Sequence, residues 1–334
     1  MKIGIFGAGS IGCYMGGMLA AAGMHPVLVG RTSMMERLAR GMKLTSHDGD
    51  ECIAEPDTFV FSTSPDPLAK CDAVLVCVKS SATTEAGKLL ARALLPEARV
   101  VSLQNGISNP DVLREALAHQ HVLAGMVGFN VAQIGADRFH RGTEGHIVIQ
   151  DGAGTSELVE ALNAGGIPAA ASAYIQEVQW GKLILNLNNS VNALSGLPLK
   201  RQLAQRAYRH VTAMAVREAL AAMKAAKIRP ARITSLPPWI LPFVLDLPDG
   251  FFVRLARGMF RIDDNARSSM AEDLERGRQP EIDWLNGEIV QLGQRNNVAT
   301  PVNEKLVSLV KAASERSEPP AMSGQQLLAA VGIS

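Results

Sequence analysis

The sequence carries no surplus of either charge: 33 Lys and Arg stand against 32 Asp and Glu, a formal net charge of +1. That balance removes the basic footprint of a dedicated nucleic-acid binder. No run approaches the ~20 apolar residues that a membrane span requires. Glycines at 4, 7, 9 and 12 also interrupt the apolar N-terminal stretch, so no signal peptide is expected. Cysteine is scarce: Cys13, Cys52, Cys71 and Cys77 form no C-x-x-C pair and all lie in the first quarter of the chain. A disulfide framework would spread further, so reduced thiols in the cytoplasm are expected. The seven histidines, His119 and His121 among them, have no metal-ligand spacing on an expected helix, and no metal is expected. What remains is length and apolar residues. With 334 residues, 47% apolar and 19% charged, the chain suffices for two domains with large cores and cannot be disordered.

Strand-like and helical segments alternate through the first half. Residues 2–6, 26–30, 73–79, 98–104 and 121–125 read as strands; 10–22 (ended by Gly23), 82–92 and 108–118 read as helices. Such alternation implies parallel strands with right-handed crossovers. Residues 45–61 and 143–150 look like antiparallel additions. From about Ala173 the pattern turns helical, over 174–194, 206–227, 268–276, 281–296 and 301–314. The proline-rich stretch 236–248 reads as a connector whose Trp239, Ile240, Phe243 and Val244 need burial. The expected architecture is α/β: a Rossmann-type doubly wound parallel sheet over residues 1–172, then an all-α domain over 173–334.

Gly7-Ala8-Gly9-Ser10-Ile11-Gly12 follows an expected strand and opens an expected helix. In that context Gly7 permits the tight turn, Gly9 lets the backbone approach a pyrophosphate, and Gly12 lets helix and strand pack closely. The helix N-terminus adds free N–H groups for the anion. Where an NAD enzyme usually has an acidic residue after the second strand, this chain has Arg31 followed by Thr32 and Ser33. An arginine there favours a 2′-phosphate, and therefore NADP. Two more loops close expected strands, at Val78-Lys79-Ser80 and at Leu103-Gln104-Asn105-Gly106. Lys79 must reach solvent or an anion, and Asn105-Gly106 is also the commonest turn dipeptide.

In the second half, Lys182, Asn186 and either Asn189 or Ser190 stand at i, i+4 and i+7 or i+8 within a leucine-rich helix. They share one face. A lysine buried there has its ammonium form destabilised, which brings its pKa toward that of a useful acid or base. The competing reading is a buried polar network with Lys182 reaching outward. Ser269 and Glu272 fit a capping box, and Glu281 after Pro280 suits a helix start near the dipole.

Taken together, GAGSIG at the N-terminus, Arg31, CVKS at 77–80, LQNG at 103–106, WGKL with its asparagines, and RSSM followed by GRQPEID at 267–283 resemble the ketopantoate reductase (2-dehydropantoate 2-reductase) family. The matching pieces span nearly the whole chain in the family's order. The resemblance implies an NADPH-dependent reductase of a small 2-keto acid, a Rossmann domain followed by a helical one, and a place in pantothenate biosynthesis on the coenzyme A pathway. It implies Lys182 as proton donor and Glu281 near the nicotinamide and the reacting oxygen. It also implies Asn105, Asn186 and Ser269 as substrate ligands, with Asn105 and Lys79 beside the cofactor. The family's second asparagine, four residues after the first, is matched by Ser190, or by Asn189 across a one-residue gap. Ala266 stands where the family often has another asparagine. A reductase of another 2-keto acid or an opine-type substrate is the nearest alternative, and a nonenzymatic NADP sensor lies further off. A homodimer is also expected, with neither nucleic acid nor membrane as partner.

Overall fold

A computed structural model describes residues 1–259, 266–316 and 319–332. The chain separates into two compact units, Met1–Gln176 and Glu177–Ser334. The division falls slightly past residue 172, where the last strand of the first unit ends.

The strands of the first unit, in chain order, are β1 (Ile3–Phe6), β2 (Val27–Val29), β3 (Met42–Ser46), β4 (Glu51–Ala54), β5 (Val60–Ser62), β6 (Ala73–Val76), β7 (Arg99–Ser102), β8 (His121–Val127), β9 (Val131–Ile134), β10 (Arg138–Arg141), β11 (Ile147–Gln150) and β12 (Ala169–Ser172). Its helices are α1 (Ser10–Ala21), α2 (Thr32–Arg37), α3 (Thr83–Ala93), α4 (Asn109–Ala116) and α5 (Thr155–Ala164). Eight strands form one sheet in the order β12-β11-β8-β7-β6-β1-β2-β5. From β8 to β5 all neighbours are parallel. Short apolar runs such as Ala-Val-Leu-Val in β6 suit a sheet covered on both faces. Ile3, Ile5 and Leu75 enter one core; Val74, Val76 and Val100 enter the other with Leu90 and Leu113. The chain order reverses between β1 and β6, the switch point at which ligands of such sheets bind.

Several local expectations need correction. The strand expected over 73–79 ends at Val76, and Lys79 instead precedes a 3-10 turn, Ser80–Ala82. Residues 45–61 are divided between two sheets. β3 and β4 form an antiparallel hairpin in a separate sheet ordered β4-β3-β10-β9, whereas β5 joins β2 in parallel. β11 is antiparallel to β8, as expected for 143–150. The small sheet exists because β10 returns to pair with β3 from far along the chain. Its Met42, Leu44 and Phe139 share a core with Tyr14, Met15 and Leu19 of α1, so α1 is apolar on nearly all sides.

The helices of the second unit are α6 (Ile175–Asn186), α7 (Asn188–Ser195), α8 (Leu199–Leu203), α9 (Arg206–Ala225), α10 (Leu241–Leu245), α11 (Asp249–Met259), α12 (Ser269–Glu275), α13 (Asn286–Arg295), α14 (Pro301–Ser314) and α15 (Gly324–Ala330). Val191, Leu194, Val211, Met270, Leu306 and Val310 form its core. The single helix expected over 174–194 is interrupted at Leu187. The helix expected from 281 begins at Asn286, after a 3-10 turn at Ile282–Trp284 and a Leu285 with φ −116° and ψ −91°.

The 236–248 segment does not bury its aromatic residues: Trp239 and Phe243 are 65% and 69% exposed. Arg209 of α9 holds it from inside instead. This fully buried guanidinium donates to the carbonyls of Leu203 (2.7 Å), Leu245 (3.0 Å) and Leu247 (2.5 Å), and pairs with Asp249 at 2.9 Å. Backbone carbonyls therefore anchor the segment together with the Asp246 carboxylate, which pairs with His210 and Arg217 of α9, and the exposed aromatic side chains take no part. Among the described residues no helix is long and apolar enough to cross a membrane, and no cluster of His, Cys, Asp or Glu is arranged to hold a metal ion. All four cysteines are free thiols.

Candidate active site

The glycine loop lies at the carboxyl end of β1, beside the loop that leaves β6. Gly7 has φ +114°, and a Cβ there would lie 2.5 Å from the backbone nitrogen of Val78. A Cβ at Gly12 would lie 2.1 Å from the carbonyl oxygen of Gly7. Both positions therefore exclude any side chain. Gly9 differs: a Cβ there would meet nothing within 4 Å, so open space adjoins the exposed backbone at the start of α1. No side chain caps that helix. Uncapped N–H groups facing open space fit the pyrophosphate of a dinucleotide. Ala8 is buried, whereas Ser10 and Ile11 are half-buried in the first turn. Arg31 follows β2 as the exposed residue before α2.

The 77–80 and 103–106 loops leave adjacent parallel strands, β6 and β7. Beneath them lies a set of buried polar side chains that sequence reasoning missed. Asn109 Nδ2 donates to the carbonyl of Asn105 (2.6 Å) and to Ser80 Oγ (3.1 Å). Thr83 Oγ1 lies 2.7 Å from Asn109 Oδ1, and Gln104 Nε2 donates to Thr83 Oγ1 at 2.6 Å. Ser80 Oγ also reaches the Asn105 carbonyl, at 3.2 Å. Ser80, Thr83, Gln104 and Asn109 are all buried, while Asn105 is half-buried and Lys79 exposed. Gly106 at φ +88° supplies the turn expected of Asn-Gly. The only signal for this network in the sequence is a set of ordinary polar residues whose burial follows from strand adjacency.

In the helical unit the chain stays right-handed at Leu187 (φ −61°, ψ −26°) but tightens. The Leu187 N–H reaches the carbonyls of both Leu183 (3.1 Å) and Ile184 (3.4 Å). At ~100° per residue, Asn189 lies about 20° around the helix from Lys182 and Ser190 about 80°. Burial agrees: Lys182, Asn186 and Asn189 are half-buried, whereas Ser190 is fully buried and donates to the Leu187 carbonyl at 3.0 Å. Ser190 therefore does not share the open face. Asn188 is occupied elsewhere, with Gln202 at 3.2 Å and Thr212 at 2.9 Å. Burial pushes the Lys182 ammonium below its ordinary pKa. Gly181 beside it is required by close approach, since a Cβ would lie 2.3 Å from the Ala231 carbonyl oxygen.

The capping assignments also change. Ser268, not Ser269, caps α12: its hydroxyl accepts from the Ala271 N–H at 3.2 Å. Ser268 is bound to α7 as well, through its N–H to Asn192 Oδ1 (2.9 Å) and its hydroxyl to the Asn189 carbonyl (3.3 Å). Those ties bring the start of α12 next to Asn189 and leave Ser269 exposed, with its hydroxyl not used in capping. Glu281 is buried at 6% exposure and precedes the 3-10 turn, so it has no α-helix dipole to cap.

The family model for ketopantoate reductase PanE/ApbA matches residues 3–154, and its C-terminal counterpart matches residues 174–314. A 2-dehydropantoate 2-reductase of Halobacterium salinarum is 28% identical over 323 residues, covering 94% of this chain and 99% of the relative. The crystal structure of a PanE/ApbA family ketopantoate reductase from Ralstonia eutropha JMP134 has a TM-score of 0.80 and 32% identity, covering 94% of this chain and 99% of that one. A dimeric ketopantoate reductase from Staphylococcus aureus shares the fold, with a TM-score of 0.71 at 18% identity, covering 94% and 99%. Glycine loop, loop pair and lysine–asparagine face are thus joined in one chain that belongs to the PanE/ApbA ketopantoate reductase family.

Proposed function

We propose that this chain reduces 2-dehydropantoate to pantoate with NADPH, with Lys182 as the proton donor. The observation that carries the reading is the half-buried Lys182, its ammonium destabilised by burial, on one face with Asn186 and Asn189. When bound, NADPH supplies the hydride to the C2 carbonyl carbon. Lys182 delivers its proton to the carbonyl oxygen and stabilises the charge that develops there. Asn186 and Asn189 orient the substrate, and the Ser269 hydroxyl binds its carboxylate. Glu281 orients the reacting groups. In the first unit the glycine loop holds the pyrophosphate and Arg31 the 2′-phosphate, with Lys79 and Asn105 beside the cofactor. The enzyme then acts in pantothenate biosynthesis, in the reducing cytoplasm that suits its four free thiols.

The test is NADPH oxidation against a panel of 2-keto acids that includes 2-dehydropantoate. Highest kcat/KM on 2-dehydropantoate is expected; a clear preference for another 2-keto acid would reassign the substrate and leave the chemistry in place. A homodimer completes the reading. It is supported by the dimeric S. aureus relative and by Trp239, Phe243 and Phe251, each at least 65% exposed on the helical unit. Sedimentation of the purified chain as a monomer at micromolar concentration would remove it.

A further inference from the structure

We infer that Asn109 is a positioning residue of the reaction, a clamp that sets the geometry of Asn105. The inference rests on the reading of Asn105 as a site residue. Asn109 opens α4, yet its side chain caps nothing there; it is 1% exposed and turned into the unit beneath the two loops. Its amide donates to the Asn105 carbonyl at 2.6 Å and to Ser80 at 3.1 Å, and its oxygen lies 2.7 Å from the Thr83 hydroxyl. One side chain thus binds the loop after β7 to the loop after β6. Gln104 completes the set from the opposite side through Thr83, and Ser102 supports Gln104 at 3.0 Å.

Such a network is not what joins the two strands. The parallel pairing of β6 with β7 already joins the strands, and an apolar filling would cost less than four desolvated polar groups. What the polar network adds is direction. It fixes the carbonyl of Asn105, and with it the Asn105–Gly106 peptide plane, immediately before the positive-φ Gly106. A loop held only by packing would let the Asn105 amide swing, and a reacting group displaced by about 1 Å can cost a hundredfold in rate.

The test is a double-mutant cycle on the whole chain with NADPH and the best 2-keto acid. Asn109→Ala is expected to lower kcat/KM by about tenfold to a hundredfold. In an Asn105→Ala background the same substitution should change it little, because the clamp acts only through Asn105. Full additivity of the two losses would overturn the inference. Hydrogen exchange provides a readout independent of activity: amides of residues 103–107 should exchange faster in Asn109→Ala, and unchanged protection would also overturn it. If Asn105→Ala alone retains full activity, the site reading of Asn105 fails, while the exchange data still report on the clamp. Should Asn109→Ala not fold, Ser80→Ala removes the hydroxyl that bonds the Asn105 carbonyl. A milder loss of about two- to tenfold, again absent in the Asn105→Ala background, is then expected.

Discussion

On the proposed reading, the two units solve recognition in opposite ways. The first works largely with backbone: open N–H groups at the start of α1, glycines where a Cβ would collide, and two loops held from beneath by buried amides and hydroxyls. The second works with side chains on a helix face, Lys182, Asn186 and Asn189, set among buried leucines. Backbone recognition suits a ligand whose phosphates are the same in every enzyme of this build. Side-chain recognition suits a substrate that must be both selected and protonated. The contrast predicts that damage to one unit leaves the other's function intact.

The largest expected break is in the helical unit. Lys182→Ala should lose roughly 10²–10⁴ in turnover, the contribution of a positioned proton donor, while its Kd for NADPH stays unchanged. Near-normal turnover would remove Lys182 from the mechanism. As proton donor the same lysine should set a pH limb. Because burial lowers its pKa, the proton needed for reduction is lost as pH rises through that depressed value, so kcat/KM should fall there, before the ordinary lysine range. The stability effect has the matching sign: below the lowered pKa the native state carries a desolvated ammonium at a cost, so Lys182→Met should melt no lower than the parent at neutral pH.

Arg31→Ala is the counterpart in the first unit. It should weaken NADPH by several-fold to about a hundredfold and leave NADH nearly unchanged, as expected for loss of a charge-assisted hydrogen bond. Equal losses for both cofactors would make Arg31 structural. Glu281→Gln should lower turnover at least about tenfold, the lower end for groups that assist proton transfer. The smallest effect sharpens the helical face itself. Asn189→Ala should raise KM for the 2-keto acid, whereas Ser190→Ala should change neither kcat nor KM, because that hydroxyl is spent on the Leu187 carbonyl. A KM effect confined to Ser190→Ala would reverse the assignment.

Much of this was legible in the sequence because it depends on local rules. The Gly7–Gly12 spacing, the alternation of strands and helices, Arg31 after β2 and the four-residue step from Lys182 to Asn186 are set by neighbours along the chain, and short-range sterics and helical periodicity read them directly. Four features were decided only in three dimensions. Burial of Ser190, whose hydroxyl is bound to the Leu187 carbonyl, chose between Asn189 and Ser190. Capping passed from Ser269 to Ser268 because Asn189 and Asn192 of α7 offered partners from another helix. Pairing of β10 with β3 built a second sheet from segments almost a hundred residues apart. Arg209 held 236–248 by its carbonyls and left its aromatics outside. The same reason runs through all four. Whether a hydroxyl, an amide or an indole is used, buried or free depends on which groups stand across from it, and periodicity along one chain carries no record of that.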